Sequence, residues 1–381
     1  MKFTKLSLMA ALAITSLYAS ESNLSGDTKL FYSTSDAADG DLFNKTSAMG
    51  NAAVSLDYTK EVADGISLNA GATAISTLGL EGTAVGATWV EHALKDRAWI
   101  DIANITAQIG NTTAVIGRQK LDTPLAFTET WNIVENTFDA FSFINKELPD
   151  TTLVASAVTR ANGPFEFTNF QGGETDLGDG IYAFGMVSKL IPNTTAQLWY
   201  YASNTTLDKD DKVWLQADTN IAEGITIGAQ YGLALADANG VDDSSVVAVK
   251  LGYDASVADL YAAFSKADDQ GANSFTNYAG YGASPLYTEA WWNFGFVSEP
   301  DAQTIAIGAS TELSGLALTA QYTNVTNDSA GASGEMDEVT LTASKKIGTV
   351  DASFALINTS SDDNDIDGNT VQLYLTLPFS L

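Results

Sequence analysis

The chain has 381 residues, with 47 acidic against 18 basic side chains, a formal charge of −29, no cysteine and a single histidine. That balance repels nucleic acid, and the missing cysteine excludes both a disulfide framework and a thiolate metal site. Mean hydropathy is +0.01, and past residue 19 there is no apolar run of the roughly eighteen residues that a membrane-crossing helix needs; a closed β-barrel stays open, because its strands carry only a weak alternation.

Residues 1–19 have Lys2 and Lys5 ahead of an apolar run from Leu6 to Leu17 and a small residue, Ala19. This is the layout of a secretory signal peptide, with the exported domain spanning 20–381. Removing it takes two lysines from the 18 basic residues and leaves 16 against 47 acidic ones, a formal charge of about −31.

Short alternating runs then recur to the end of the chain. Strands are expected near 25–32, 50–60, 65–75, 96–105 and 112–118. In RAWIDIAN, alternation puts Arg97 and Asp101 on the wet face, opposite Ala98, Ile100 and Ile102. After the stretch 119–138, strands are expected near 139–145, 151–159, 179–188, 194–202, 211–218, 224–232, 245–253 and 257–265. In ITIGAQYG the oily side is Ile225, Ile227, Ala229 and Tyr231. The last five fall near 302–311, 314–323, 337–346, 350–358 and 369–377, which makes eighteen.

Many oily positions are Ala, Val or Leu, the wet face is mostly small and uncharged, and aromatics (Trp199, Tyr200, Tyr201, Trp214, Tyr253, Tyr322) collect near strand ends like a membrane girdle. Tight connections such as KEVADG and ELSG alternate with long ones. Counting TEAWWNFGF (288–296) as a strand would invert that rhythm and put the two ends of the chain on opposite sides of the membrane, so 266–301 reads as one long loop. The expected fold is all-β: a transmembrane antiparallel barrel of about eighteen strands.

The third long loop, 119–138, is unusual. Standing outside, it would expose Leu121, Leu125, Phe127, Trp131 and Phe138, whereas folding into a wide barrel buries them and brings Asp122, Glu129 and Glu135 to the narrowest part of the lumen. The alternative is a loop that caps the mouth or touches a neighbouring subunit. Together with Arg97, Asp101 and Arg118 on the wall, these carboxylates form the expected pore constriction.

The segments GRQKLDTP, NTFDAF and LPDTTLVASAV, within 117–158, resemble the region of the third loop in the OprD porin family and in the related major outer membrane porins of the epsilonproteobacteria. Arg118, Asp122, Thr123 and Pro124 are the matching positions. The resemblance implies an eighteen-strand outer-membrane barrel with an inward third loop, passive uptake of small hydrophilic solutes and ions and, in the epsilonproteobacterial branch, a homotrimer. The OprD type is known for a ladder of basic side chains, whereas this chain has only three arginines, Arg97, Arg118 and Arg160, so cation preference is expected. It also ends PFSL, with Phe379 two residues short of the terminus, where barrels of this class commonly finish on an aromatic residue.

Other chemistry is sparse. The sole histidine, His92, lies beside Glu91 with no serine placed to make a hydrolase, and no catalytic site is expected. Asp363, Asp365 and Asp367 before Gly368 copy the first half of a calcium loop, but Tyr374 stands where an EF-hand needs glutamate, so either a looser calcium site or a solvated acidic loop is expected. Acidic outer loops suit divalent ions that bridge lipopolysaccharide, a second partner beside membrane lipid. Two further readings are a surface structural or adhesin barrel with a plugged lumen, whose long loops bind a partner, and a secreted soluble β protein.

Overall fold

A computed structural model of the chain describes residues 23–87, 96–130, 133–163, 173–205, 209–236, 242–269, 275–279, 282–327, 334–362 and 365–380. The signal segment 1–19 and His92 lie outside these residues.

Alternation becomes a wall of eighteen strands: β1 (Asn23–Ser35), β2 (Ala48–Ala63), β3 (Ile66–Ser76), β4 (Arg97–Ile109), β5 (Thr112–Gln119) and β6 (Thr137–Asn145). It continues with β7 (Thr151–Gly163), β8 (Gly173–Ser188), β9 (Thr194–Asn204), β10 (Asp211–Ala222), β11 (Ile225–Leu235) and β12 (Ser244–Asp254). The last six are β13 (Asp259–Ala267), β14 (Gln303–Leu313), β15 (Leu316–Thr326), β16 (Met336–Ile347), β17 (Val350–Ser361) and β18 (Gly368–Ser380). Consecutive strands pair antiparallel, and β1 pairs with β18 from Ser25↔Ser380 to Ser35↔Thr370, which closes the sheet and leaves no edge. Several strands outrun their oily stretch, as β17 does through Asn358–Ser361, because hydrogen bonding to β16 continues where alternation in polarity has stopped.

The wall is inside out relative to a soluble protein. In β12, Val247, Val249, Leu251 and Tyr253 are exposed on the outer face while Val246 and Ala248 are buried inside; in β16, Val339 and Leu341 point out while Glu338, Thr340 and Thr342 point in. An outer belt of Leu, Val, Ile, Phe and Tyr costs little against lipid tails and much against water. Primed hairpins close the tight end: Ser314 and Gly315, at φ 54° and 76°, supply the two left-handed residues such a turn requires.

Two connections enter the barrel. Residues 120–136, between β5 and β6, bury Leu121, Leu125, Ala126, Ile133 and Val134; residues 268–302, between β13 and β14, bury Phe275, Leu286, Ala290 and Val297. The inward fold of the third loop is therefore as the sequence suggests. The described residues of the long loop 266–301, which the adhesin reading has binding a partner, pack on the inner wall, where Phe275, Leu286 and Val297 find apolar partners. Trp199, Tyr201 and Trp214 also depart from expectation: they are buried on the inner face beneath these loops, and of the Trp199–Tyr201 run only Tyr200 is exposed outside.

Candidate functional site

The interior divides into a packed side and a wet side. On the packed side, Leu125 sits among Tyr201, Trp199 and Trp214, and its backbone N–H donates to the Tyr201 hydroxyl at 3.2 Å. Asn277 of the long loop pairs with Phe127 as a strand would: its Oδ1 accepts the Phe127 N–H at 3.1 Å and its Nδ2 donates to the Phe127 carbonyl at 2.7 Å. The same Nδ2 donates to Glu129 at 2.8 Å, and the Tyr278 N–H donates to the Leu125 carbonyl at 2.8 Å. The two inward loops thus form one body. Wall glutamines hold it: Gln230 donates to the Pro285 carbonyl at 2.8 Å and Gln321 to the Glu289 carbonyl at 2.7 Å.

On the other side, Ile133 and Val134 press on Phe31, Ala53, Ile75 and Trp99 of β1–β4. Two to four residues nearer the tight turns, the same inner faces become charged: Lys29 and Asp27 on β1, Asp57 on β2 and Asp101 on β4. The third loop adds Lys120 and Glu135. Lys120 pairs with Glu135, whose other oxygen lies 3.8 Å from Lys29, itself 3.7 Å from Asp27. Asp101 accepts from Thr73 at 2.6 Å, and a β-carbon on Gly71 would stand 2.7 Å from an Asp101 oxygen and 2.8 Å from one of Asp57, so only glycine lets both carboxylates approach. A bulge between Gly71 and Ala72 leaves Asp101 as the extra residue on β4 and switches the alternation, so that Asn104 faces in and Ile105 out.

The charges tune one another. Burial opposes the Lys120 charge, but Glu135, Asp57 and Asp101 outweigh it and hold the ammonium above its ordinary range. Burial likewise raises Glu135, yet Lys120 and Lys29 together bring its carboxyl below the ordinary value. This strip carries four carboxylates (Asp27, Asp57, Asp101, Glu135) against two ammonium groups (Lys29, Lys120), an acidic excess in contact with water.

Each expected constriction residue can be placed. Arg97 shares the inner face of Trp99 above the strip. Arg118 forks onto Asp139, at 2.9 and 3.3 Å, and donates to the Ile100 carbonyl at 2.8 Å. Asp122 is water-exposed, and burial of its surroundings raises its carboxyl to about 6. Glu129 is 3 % exposed, held within the joined loops. Asp101 and Glu135 lie together in the strip. Asp27, Lys29 and Asp57 went unnoticed in the sequence although strand parity marks them, since each shares its strand's wet face; Lys250, 3.3 Å from Asp218 and 4.0 Å from the Tyr287 ring, is a further inward base. Of the acidic loop, Asp363 lies outside the described residues, Asp365 and Asp367 are exposed, and Asp367 accepts from the Ser361 N–H at 3.4 Å.

No family model and no curated relative matches the chain. Solved structures do. Pseudomonas aeruginosa OccK8 (OprE) aligns with a TM-score of 0.75 at 15% identity, covering 95% of this chain and 98% of that one. Its fold is the one found in the OprD/Occ porins. Acinetobacter baumannii OccAB3 (TM-score 0.78, 12% identity) covers 95% of this chain and 100% of its own, and Pseudomonas aeruginosa OccK9 (OpdG) (0.77, 14%) covers 95% and 99%.

Proposed function

We propose that the chain is an outer-membrane porin of the OprD-like type: a channel, not an enzyme, through which ions and small hydrophilic solutes diffuse past the third loop. The observation that carries this reading is the water-exposed charged strip of Asp27, Lys29, Asp57, Asp101, Lys120 and Glu135, lying beside an inward loop inside an apolar-belted barrel. An ion next to low-dielectric walls feels such charges more strongly than in bulk water. The acidic excess of the strip supports cation preference. Export by residues 1–19, residence in the outer membrane of a Gram-negative bacterium, contact with lipopolysaccharide and assembly as a homotrimer belong to the same reading. Membership of the epsilonproteobacterial branch rests on the 117–158 segment, and calcium at Asp363, Asp365 and Asp367 rests on their spacing alone.

The test is single-channel conductance and reversal potential of the refolded protein in a salt gradient, for wild type and for Asp57→Asn with Asp101→Asn. A stable current with cation preference that weakens in the double variant is expected. The continuous apolar packing of loops 120–136 and 268–302 favours one other reading, a surface barrel with a plugged lumen. Absence of wild-type current would select it.

A further inference from the structure

Glu338, the third residue of β16, points into the barrel and is 1 % exposed. What surrounds it is backbone. One oxygen accepts the N–H groups of Trp291 at 2.8 Å and Trp292 at 3.0 Å; the other accepts the Asn293 N–H at 2.9 Å and its side-chain amide at 3.0 Å. The Thr340 hydroxyl adds a fifth donor at 3.3 Å. Asn293 also reaches the hydroxyl of Thr359, the residue opposite Glu338 on β17, at 2.9 Å. Three successive N–H groups converging on one anion form a nest, here made by a loop and filled by the wall.

The same loop clasps the third loop further back, through Asn277 and Tyr278 on Leu125, Phe127 and Glu129. The order of contacts is therefore wall carboxylate, long loop, third loop. We propose that Glu338 is the positioning residue that keeps the channel at one bore: by seating 291–293 it fixes the long loop, which in turn holds 120–136 at its distance from the charged strip. A carboxylate is required because all five neighbours donate. Glutamine has the same shape but replaces one acceptor with a donor, so it would face the Asn293 N–H and amide with an N–H of its own.

The channel part of this inference rests on the porin reading, so the experiment has two readouts. Loop 268–302 contains no lysine or arginine but many aromatic residues, so a chymotrypsin-type protease acting on the folded barrel reports its seating without any current. Glu338→Gln is expected to be cut roughly tenfold faster than wild type, since charge-assisted bonds to a buried nest are lost and cleavage follows the unseated population. In single-channel records it is expected to split one open level into several. Heat-modifiable electrophoretic mobility confirms that the barrel has formed. Should Glu338→Gln fail to form one, Asn293→Ala removes two of the side-chain bonds and leaves the wall intact, with the same changes expected at smaller size. Wild-type cleavage and a single level in the folded variant would overturn the proposal. A wild type without current would remove the porin reading, and the protease result would still decide the role of Glu338.

Discussion

The two sides of the lumen are built on different physics. On the packed side, Leu125, Trp199, Tyr201 and Trp214 exclude water and the loops are fixed by hydrogen bonds to backbone, to wall glutamines and to the enclosed carboxylates Glu129 and Glu338; on the wet side, carboxylates and ammonium groups face water and each other. In the proposed reading the packed side sets where the loops stand and the wet side sets what passes, so a substitution on one side should alter stability or bore and on the other selectivity.

The largest effect is expected outside both. Leu341 faces lipid midway along β16, and Leu341→Arg should cost about 2–4 kcal/mol of folding free energy, read by denaturant titration in vesicles. A cost near zero would mean that this face does not meet hydrocarbon. Next comes the packed side. Leu125→Ala removes a fully buried side chain of the loop and, because the loop collapses partly onto the gap, should cost about 2–3 kcal/mol, and it should raise protease sensitivity of 120–136 while leaving ion selectivity unchanged. A selectivity change as large as that of the strip variants would dissolve the division drawn here.

On the wet side the effects are smaller because water screens them. Asp57→Asn or Asp101→Asn should shift the reversal potential toward zero, and Lys120→Gln should shift it the other way, each by less than about 1 kcal/mol in the ion's energy. The smallest concerns Asp122. Its carboxyl is raised to about 6, so it is mostly neutral below that pH and negative above it. Cation preference should therefore grow as pH rises through about 6, and Asp122→Asn should flatten that step in reversal potential measured from pH 5 to 7.

Much of the barrel was legible from parity. Eighteen alternating runs separated by short and long connections yield the strand count, because side chains of a strand must alternate between lipid and lumen. Parity also contains Asp27, Lys29 and Asp57, which share faces with inward residues. It does not contain the switch after Asp101, since the bulge at Gly71 and Ala72 is a property of the β3–β4 pair. Nor does it separate Trp199 and Tyr201, which look inward, from Tyr200, which looks at lipid: aromatics suit a membrane girdle and a packed loop seat equally well.

By itself, the sequence determined the class of wall, the long loop at 266–301 and the inward tendency of 119–138, because polarity period and loop composition are local. Only the tertiary structure decided that Glu129 is enclosed by Asn277, that Glu135 pairs with Lys29 and Lys120, and that Glu338 seats residues 291–293. Except for Lys120 and Glu135, which share the third loop, these contacts join residues 45 to 148 positions apart, and the folding of the loops into the barrel brings them within reach.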